Sequence, residues 1–239
     1  MNLYKTTNIV LAVIFLSALA LSGCSGTVKT ETREVSGFNS LVINTFGEFI
    51  IRQGDSESLT VQAPSDYLRY LETRVEDGTL HIDQRRGFIG GPIRKVTFTL
   101  TVKELNGLHL SGAGSVKVLD GLQSKDISVT LSGAGSIEID NLQAESLSVN
   151  FSSAGAIVVA GKVNSQSVNL SGLGSYESGD LESRTASVNL SGAGSATLWV
   201  TEKLDVSVSG VGSVSYFGNP QVNQNVSGLG SVNGKGAHR

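Results

Sequence analysis

A five-residue phrase of the type Ser-Gly-x-Gly-Ser recurs seven times between residues 111 and 231. Successive copies begin 21, 20, 19, 20, 18 and 18 residues apart. They occupy residues 111–115, 132–136, 152–156, 171–175, 191–195, 209–213 and 227–231. A fixed period near 20 residues in a Gly- and Ser-rich chain indicates a stacked-repeat architecture, in which each repeat buries its apolar face only against its neighbours.

The residues around each phrase indicate strands. Apolar side chains occupy every second position before the phrase, as at Ile127, Val129 and Leu131, and again after it, as at Ile137 and Ile139. This is the strand period, and no window keeps the helical period. The helical half of leucine-rich repeats and the aspartates of calcium-binding nonapeptide repeats are absent. We therefore predict an all-β parallel β-helix (solenoid) with about 18–21 residues per coil.

Strand alternation through the phrase turns both glycines inward and the serines and the middle residue outward. Glycine at such a corner permits a sharp bend or a close approach of two backbones. The outward residues would stack about 4.8 Å apart into a strip of small polar groups. Two interpretations follow: a corner without a ligand, or a recognition surface for a polymer such as a glycan. For the second, the candidate residues are Ser132, Ser136, Ser191 and Ser195.

A second outward file is expected two residues before each phrase, directly before the inward apolar residue that precedes the phrase. Its members are Thr130, Asn150, Asn169, Asn189, Ser207 and Asn225. Stacked amides bond to one another between coils, so a structural role is the default interpretation. Asn150, Asn169 and Asn189 are also candidates for a binding surface.

Two aromatic residues, Trp199 and Phe217, each lie four residues after a phrase. The repeat places them outward on adjacent coils, where they are the best candidates for sugar stacking or a subunit contact. The alternative interpretation is that a terminal loop covers them.

The first 23 residues have the features of a lipoprotein signal peptide. Lys5 provides a basic start, and the apolar run over residues 9–20 is too short for an ordinary membrane span. The run ends in Leu21-Ser22-Gly23-Cys24, which resembles the bacterial lipobox and implies acylation of Cys24. The alternative is ordinary secretion with an incidental cysteine. Ser25, directly after the cysteine, resembles the residue found in lipoproteins sorted to the outer membrane. Both the periplasmic face and the surface face of that membrane stay open as locations.

The mature chain begins with a section that lacks the repeat. Residues 24–36 are predicted to be a flexible tether. Residues 37–104 are predicted to be an irregular β-rich section with one short helix between residues 66 and 75, capped by Ser65 or Asp66. This section is expected to close one end of the solenoid, because an open end exposes apolar core and strand edges. The repeat β-helix is assigned to residues 105–234 and a disordered tail to residues 235–239.

The order of apolar and turn residues in the first part of the mature chain resembles a known family. The residues that carry the resemblance are Phe38, Leu41, Ile43, Ile51, Arg52, Gln53, Gly54, Leu59, Val61, Tyr67, Leu68, Val75, Gly78, Leu80 and Ile82. Followed by the Ser-Gly-x-Gly-Ser coils, this pattern is similar to the putative auto-transporter adhesin head GIN domain family, over about residues 35–232. The resemblance implies a β-helical, exported and often lipid-anchored protein, and it offers no catalytic residues to carry over.

Chemistry-bearing residues are sparse. Asp120 and Asp140 fall at near-equivalent places on successive coils and are the one carboxylate pair worth testing, although Asp also favours turns. The three histidines, His81, His109 and His238, are scattered, and no metal spacing or phosphate loop appears. We therefore expect no catalytic residues, no metal and no cofactor.

The expected function is that of a non-catalytic, lipid-anchored envelope protein with an adhesin-like surface for a glycan or a protein. The membrane, through the lipid anchor, is one expected partner. A structural or scaffold role, with self-association through a flat β face, is the alternative, and a carbohydrate-active β-helix enzyme ranks below both. The net charge of −3 argues against nucleic acid as a partner.

Overall fold

The computed structural model of the chain describes residues 27–87 and 95–238. The predicted signal peptide and Cys24 lie outside the described residues. The strands are β1 (Val28–Arg33), β2 (Ser40–Asn44), β3 (Gly47–Gln53), β4 (Ser58–Pro64), β5 (Leu71–Glu76), β6 (Thr79–Gln84), β7 (Thr97–Val102), β8 (Gly107–Leu110), β9 (Ala113–Leu119), β10 (Leu122–Leu131), β11 (Ala134–Phe151), β12 (Ala156–Leu170), β13 (Ser175–Leu190), β14 (Ser195–Val208), β15 (Ser213–Phe217), β16 (Gln221–Val226) and β17 (Ser231–Gly234). One short helix, α1, spans Ser65–Leu68.

The repeats form a parallel β-helix, as the period predicts. The long strands β10 to β14 each pair in parallel with the next, and equivalent residues of the repeats are Cα partners, for example Val129 with Val149 and Val149 with Val168. Each coil has a strand after the phrase, a short middle strand and a strand before the next phrase. The register shifts fall mainly at the corner after the post-phrase strand, such as between Ile139 and Leu142. That corner absorbs the variation in repeat length.

The core runs through the whole solenoid as one cluster of inward side chains. Ile137, Val149 and Phe151 are each almost completely buried, and their neighbours along the strand point to solvent. Full burial of one such side chain stabilises the fold by about 1.5–3 kcal/mol. Volumes compensate between coils, because Tyr176 stacks on Ala196. This packing is what makes stacked coils stable where a single coil is not.

The N-terminal section contributes coils as well as a cap. Strand β2 pairs in parallel with both β6 and β8, and β3 pairs in parallel with both β7 and β9. The coil β6–β7 therefore lies on one side of β2–β3 and the repeats lie on the other. The first coil in the sequence, β2–β3, is therefore the second coil along the solenoid, and the later segment β6–β7 forms the terminal coil. Residues 37–104 therefore form two coils of the solenoid in addition to the cap that the sequence predicts.

Antiparallel strands close this end of the molecule. Strand β4 pairs with β7 and with β1, and β5 pairs with β6 through a hairpin. Asp77 and Gly78 form the hairpin turn with φ of 47° and 73°, as a type I′ turn requires. Phe49 stacks on Phe98 beneath the cap with ring centroids 4.3 Å apart.

Two local assignments differ from the sequence analysis. Within the predicted tether, Val28–Arg33 form β1 because backbone pairing with β4, rather than an apolar pattern, orders it. The helix predicted between residues 66 and 75 is only the single turn α1, with Pro64 at its N-cap position. Residues 71–76 are a strand, since Thr73 and Val75 are β-branched and pair with β6.

Candidate functional site

The pre-phrase strands present a flat polar face, which is built from two outward files. The first, the Asn file, consists of Thr130, Asn150, Asn169, Asn189, Ser207 and Asn225. The second, the Ser file, consists of Ser128, Ser148, Ser167, Ser187, Asp205 and Asn223. In both files each residue is the Cα partner of the next, so equivalent groups repeat at about 4.8 Å along the solenoid.

Amide groups link the coils in the middle of the Asn file. The Nδ2 of Asn169 donates to the Oδ1 of Asn150 at 3.2 Å, and the Nδ2 of Asn189 donates to the Oδ1 of Asn169 at 3.3 Å. Each amide keeps a second N–H for an outside acceptor. The four serine hydroxyls of the Ser file have no hydrogen-bond partner among the described residues. The centre of the polar face therefore offers uncharged donors and acceptors in a regular array.

The phrases form the second outward feature, a ridge along one edge of the polar face. Ser136 and Ser195 belong to one file, which Ala156 and Ser175 connect. The hydroxyl of Ser132 contacts the Nε2 of His109 at 3.0 Å, and that of Ser191 contacts the carbonyl of Leu170 at 3.5 Å. The first serines of the phrases thus turn partly toward neighbouring groups instead of forming a free row of hydroxyls.

The middle of the ridge is apolar rather than polar. The middle residue of the phrase is alanine in four copies, and in the others it is Leu173, Val211 and Leu229, whose exposed fractions are 73%, 64% and 86%. A shallow groove lined by these three residues and by Ser195 and Ser213 runs alongside. The strip of small polar groups expected from the sequence is therefore a ridge with exposed aliphatic side chains toward its C-terminal end.

Trp199 and Phe217 are neighbours on adjacent coils, in the register that the repeat predicts. Both are half-buried, because the end of the chain folds back over them. The His238 ring stacks on Trp199 with centroids 3.9 Å apart and meets Phe217 edge-on at 5.5 Å. The Nε2 of His238 also lies 3.3 Å from the Oδ1 of Asp180. The residues assigned to a disordered tail thus include the side chain that covers the aromatic pair.

A buried polar network lies beneath the aromatic pair, and the sequence analysis missed it. The Oε1 of Gln166 accepts hydrogen bonds from the Tyr176 hydroxyl at 2.9 Å and the Ser178 hydroxyl at 3.3 Å, and its Nε2 donates to the Ser183 hydroxyl at 2.8 Å. Ser183 in turn donates to the backbone oxygen of Trp199 at 2.8 Å. Burial raises the pKa of the Tyr176 phenol above its ordinary value, and the protonated hydroxyl is the hydrogen-bond donor to Gln166. The one sequence signal was a glutamine at an inward position.

Asp120 and Asp140 are the carboxylate pair that the sequence singles out. Both are exposed, and the Oδ2 of Asp120 lies 2.8 Å from the Nε of Arg52 in an ion pair. Asp120 has a φ of 65° at the corner of its coil, which fits the turn role that the sequence allowed.

Within residues 27–87 and 95–238, no three His, Cys, Asp or Glu side chains are grouped so as to hold a metal ion. In the same residues, no helix has the length and apolar character needed to cross a bilayer.

Several solved structures resemble this one. The chain is 25% identical to a putative adhesin from Bacteroides fragilis, with a TM-score of 0.83 over 88% of this chain and 98% of that chain. A putative lipid binding protein from Parabacteroides distasonis is also 25% identical, with a TM-score of 0.69 over 87% of this chain and 97% of that chain. A putative adhesin from Parabacteroides distasonis, 20% identical with a TM-score of 0.66 over 87% and 97%, shares the fold.

No match was found among curated proteins. The family whose description is "putative auto-transporter adhesin, head GIN domain" matches residues 37–220, which contain the first coils, the cap strands β4 to β6 and all but the last phrase. Its span agrees with the resemblance read from the sequence. The chain belongs to the putative auto-transporter adhesin, head GIN domain family.

Proposed function

We propose that this protein is a non-catalytic, lipid-anchored binding module of the cell envelope, which holds a repeating polymer on the polar face. The observation that carries the proposal is the alignment of the Asn and Ser files over six consecutive coils. A periodic array of donors and acceptors suits a partner that is itself periodic, because each coil then makes the same contact. A glycan chain, rich in hydroxyl groups, is the first choice of partner.

The character of the face supports a hydroxyl-rich partner. The Ser file is uncharged from Ser128 to Ser187, and small side chains keep the surface flat. Free hydroxyls and amide N–H groups can exchange their water hydrogen bonds for bonds to sugar hydroxyls at little net cost. Trp199, on a different strand of the same coils, could add a stacked sugar ring once His238 moves aside.

The lipid anchor is part of the proposal. Acylation of Cys24 would attach the chain four residues before β1 begins at Val28, which is at the capped end. The repeats β10 to β17 would then extend away from the membrane, with the polar face open to the surroundings. An outer-membrane location rests on Ser25, and the family description supports a role at the cell envelope or cell surface. One neighbour is described as a lipid binding protein, but an anchor needs no lipid-binding site.

A protein partner is the second candidate, and the ridge favours it. Leu173, Val211 and Leu229 expose large aliphatic side chains on one line, and exposed apolar groups of this kind mark protein contacts. A scaffold role would use this ridge, whereas glycan adhesion would use the polar face. The two candidates therefore predict different sensitive residues.

The experiment compares two substitutions that add the same charged side chain to different faces. Ser167→Lys lies in the centre of the polar face, and Val158→Lys lies on the exposed side of a post-phrase strand. The ligand is the glycan or cell-wall polymer that retains the wild type. We expect Ser167→Lys to weaken binding to it by about ten-fold or more, because the serine hydroxyl is lost and the longer lysine side chain projects from the flat face. Val158→Lys should bind as the wild type does. Circular dichroism confirms that both variants fold.

Equal binding by the two variants would remove the polar face from the proposal. Loss of binding in a Leu173→Ser variant, with Ser167→Lys unaffected, would transfer the function to the ridge. If a panel of bacterial and host polysaccharides retained no wild-type protein, the glycan assignment would fail.

A further inference from the structure

The capped end of the solenoid carries a cleft that the adhesin proposal does not use. The cap cleft is lined by β1, α1 and the ends of β5 and β6, and its principal residues are Lys29, Glu31, Arg33, Ser65, Arg69 and Arg85. Its volume is about 500 Å³, within the range of small-molecule sites. These residues come from three separate segments of the sequence, and the pairing of β1 with β4 brings the first segment to the other two.

The cleft concentrates positive charge in an otherwise acidic protein. Lys29, Arg33, Arg69 and Arg85 contribute four cations against the single carboxylate of Glu31, while the whole chain has a net charge of −3. Like charges repel, so such a cluster favours neighbouring carboxylates or bound anions.

The carboxylates of the cap neutralise this cluster only in part. Arg33 Nη2 lies 3.2 Å from a Glu31 oxygen, and Arg85 Nε lies 3.1 Å from a Glu72 oxygen. Arg69 lies over the ring of Tyr70 at 5.1 Å, a contact that leaves its charge in place. Among the described residues, neither Lys29 nor Arg69 has a carboxylate within ion-pair distance. The cleft therefore keeps positive charge that the chain itself does not balance.

A second observation is independent of charge. The Nε–H of Arg33 is buried and has no hydrogen-bond partner, although the Nη2 of the same group bonds to Glu31 and to the backbone oxygen of Leu68. A buried donor without an acceptor costs about 1–3 kcal/mol, and charged donors cost more. Arg33 therefore has hydrogen-bonding capacity that the chain itself does not satisfy.

From the charge and the unpaired donor we infer that the cap cleft binds a phosphate group. Guanidinium groups form paired hydrogen bonds with phosphate oxygens, and Lys29 and the Ser65 hydroxyl add donors at the rim. A phosphate has enough oxygens to bond to several of these donors at once. The inference is independent of the polar face and of the proposed adhesion.

The phosphate could belong to a lipid headgroup or to a soluble molecule. Strand β1 forms one wall of the cleft and begins four residues after Cys24, so an acylated chain would hold the cleft close to the membrane surface. A phosphodiester headgroup and a free phosphate compound present the same oxygens, and the experiment separates them.

The test uses the full chain carrying Cys24→Ala, so that an acylated thiol cannot cause membrane binding. The two probes are inorganic phosphate, followed by NMR of the arginine Nε–H signals, and vesicles of equimolar phosphatidylglycerol and phosphatidylcholine. The Arg69→Gln/Arg85→Gln double variant should bind phosphate about ten-fold or more weakly, because two charged hydrogen-bond donors are lost. Arg184→Gln, an exposed arginine paired with Glu202 on a distant coil, is the matched control and should not change binding.

A gain of binding provides the sharpest check, because damage to the fold cannot produce it. Glu31→Gln removes the one carboxylate of the cleft and frees Arg33, so it should tighten phosphate binding several-fold. Vesicle binding that free phosphate displaces identifies a lipid headgroup, and phosphate binding without vesicle binding identifies a soluble ligand. The inference is overturned if phosphate causes no saturable shift, or if the double variant and Arg184→Gln behave alike.

Discussion

At the scale of single residues, the close spacing of the coils at the corner depends on the phrase glycines, because there is no room for a Cβ atom at their positions. A Cβ on Gly135 would lie 2.1 Å from the backbone oxygen of Gly114, and one on Gly133 would lie 1.9 Å from that of Gly112. Both contacts are with backbone atoms of the neighbouring coil, which cannot move without shifting the strand pairing. The glycines therefore fix how closely the coils approach at the corner. Ser153 stands at one glycine position, and its buried hydroxyl has no partner there.

We therefore expect Gly135→Ala to lower the free energy of unfolding by about 1–3 kcal/mol, the usual cost of an overpacked site. Gly179→Ala is the matched control, because the atoms nearest to its added methyl group lie 3.5 Å away, at ordinary contact distance. Its stability should stay within about 1 kcal/mol of the wild type. Urea unfolding followed by circular dichroism measures both. Equal stabilities for the two variants would show that the corner can widen freely.

At the scale of the element, three neighbouring coils are joined by the network around Gln166. Most inward positions are filled by apolar side chains, whose contacts are not directional, whereas the hydrogen bonds of Gln166 specify one register. The network also ends on the backbone of Trp199, so it helps to position the aromatic pair. Fully satisfied buried networks of this kind favour a single packing arrangement.

Gln166→Met keeps the volume of this side chain but leaves the Tyr176 hydroxyl without its acceptor. We expect the free energy of unfolding to fall by about 1–3 kcal/mol, the cost of an unpaired buried hydroxyl. Adding Tyr176→Phe removes that hydroxyl and should recover part of the loss. A double-mutant cycle from urea unfolding measures this coupling. If the effects of the two substitutions simply add, the bond between Gln166 and Tyr176 does not contribute as a pair.

At the scale of the whole molecule, the sequence predicts what repeats and misses what does not. The phrase period and the alternation around it are sufficient for the parallel coils and for the vertical files of Asn150, Asn169 and Asn189. Strand β1 has no apolar alternation, and only its backbone pairing with β4 orders it. The coil order, with β6–β7 outside β2–β3, depends on long-range packing. The cap cleft depends on the same packing, since Arg33 and Arg85 meet only when β1 joins the cap.

The position of the C-terminal tail depends on another long-range contact, which holds the tail against one side of the solenoid. His238 spans three coils, since it touches Asp180, Trp199 and Phe217. The tail also pairs with the coil through its backbone, because the N–H of Lys235 donates to the oxygen of Tyr216 at 2.8 Å. The aromatic pair is thus a stacking site that the chain itself occupies, and any outside ring must first displace His238.

His238→Ala should uncover Trp199, which is the one tryptophan of the chain. We expect acrylamide quenching of its fluorescence to rise, and stability to fall by about 0.5–1.5 kcal/mol from the lost ring contacts. His109→Ala is the control, because His109 contacts Ser132 on the polar side and does not touch the indole. A ligand that stacks on Trp199 should bind the His238→Ala variant more tightly, since it no longer competes with the imidazole. Unchanged quenching in His238→Ala would mean that the tail leaves the indole open in solution, and the aromatic pair would then be available without displacement.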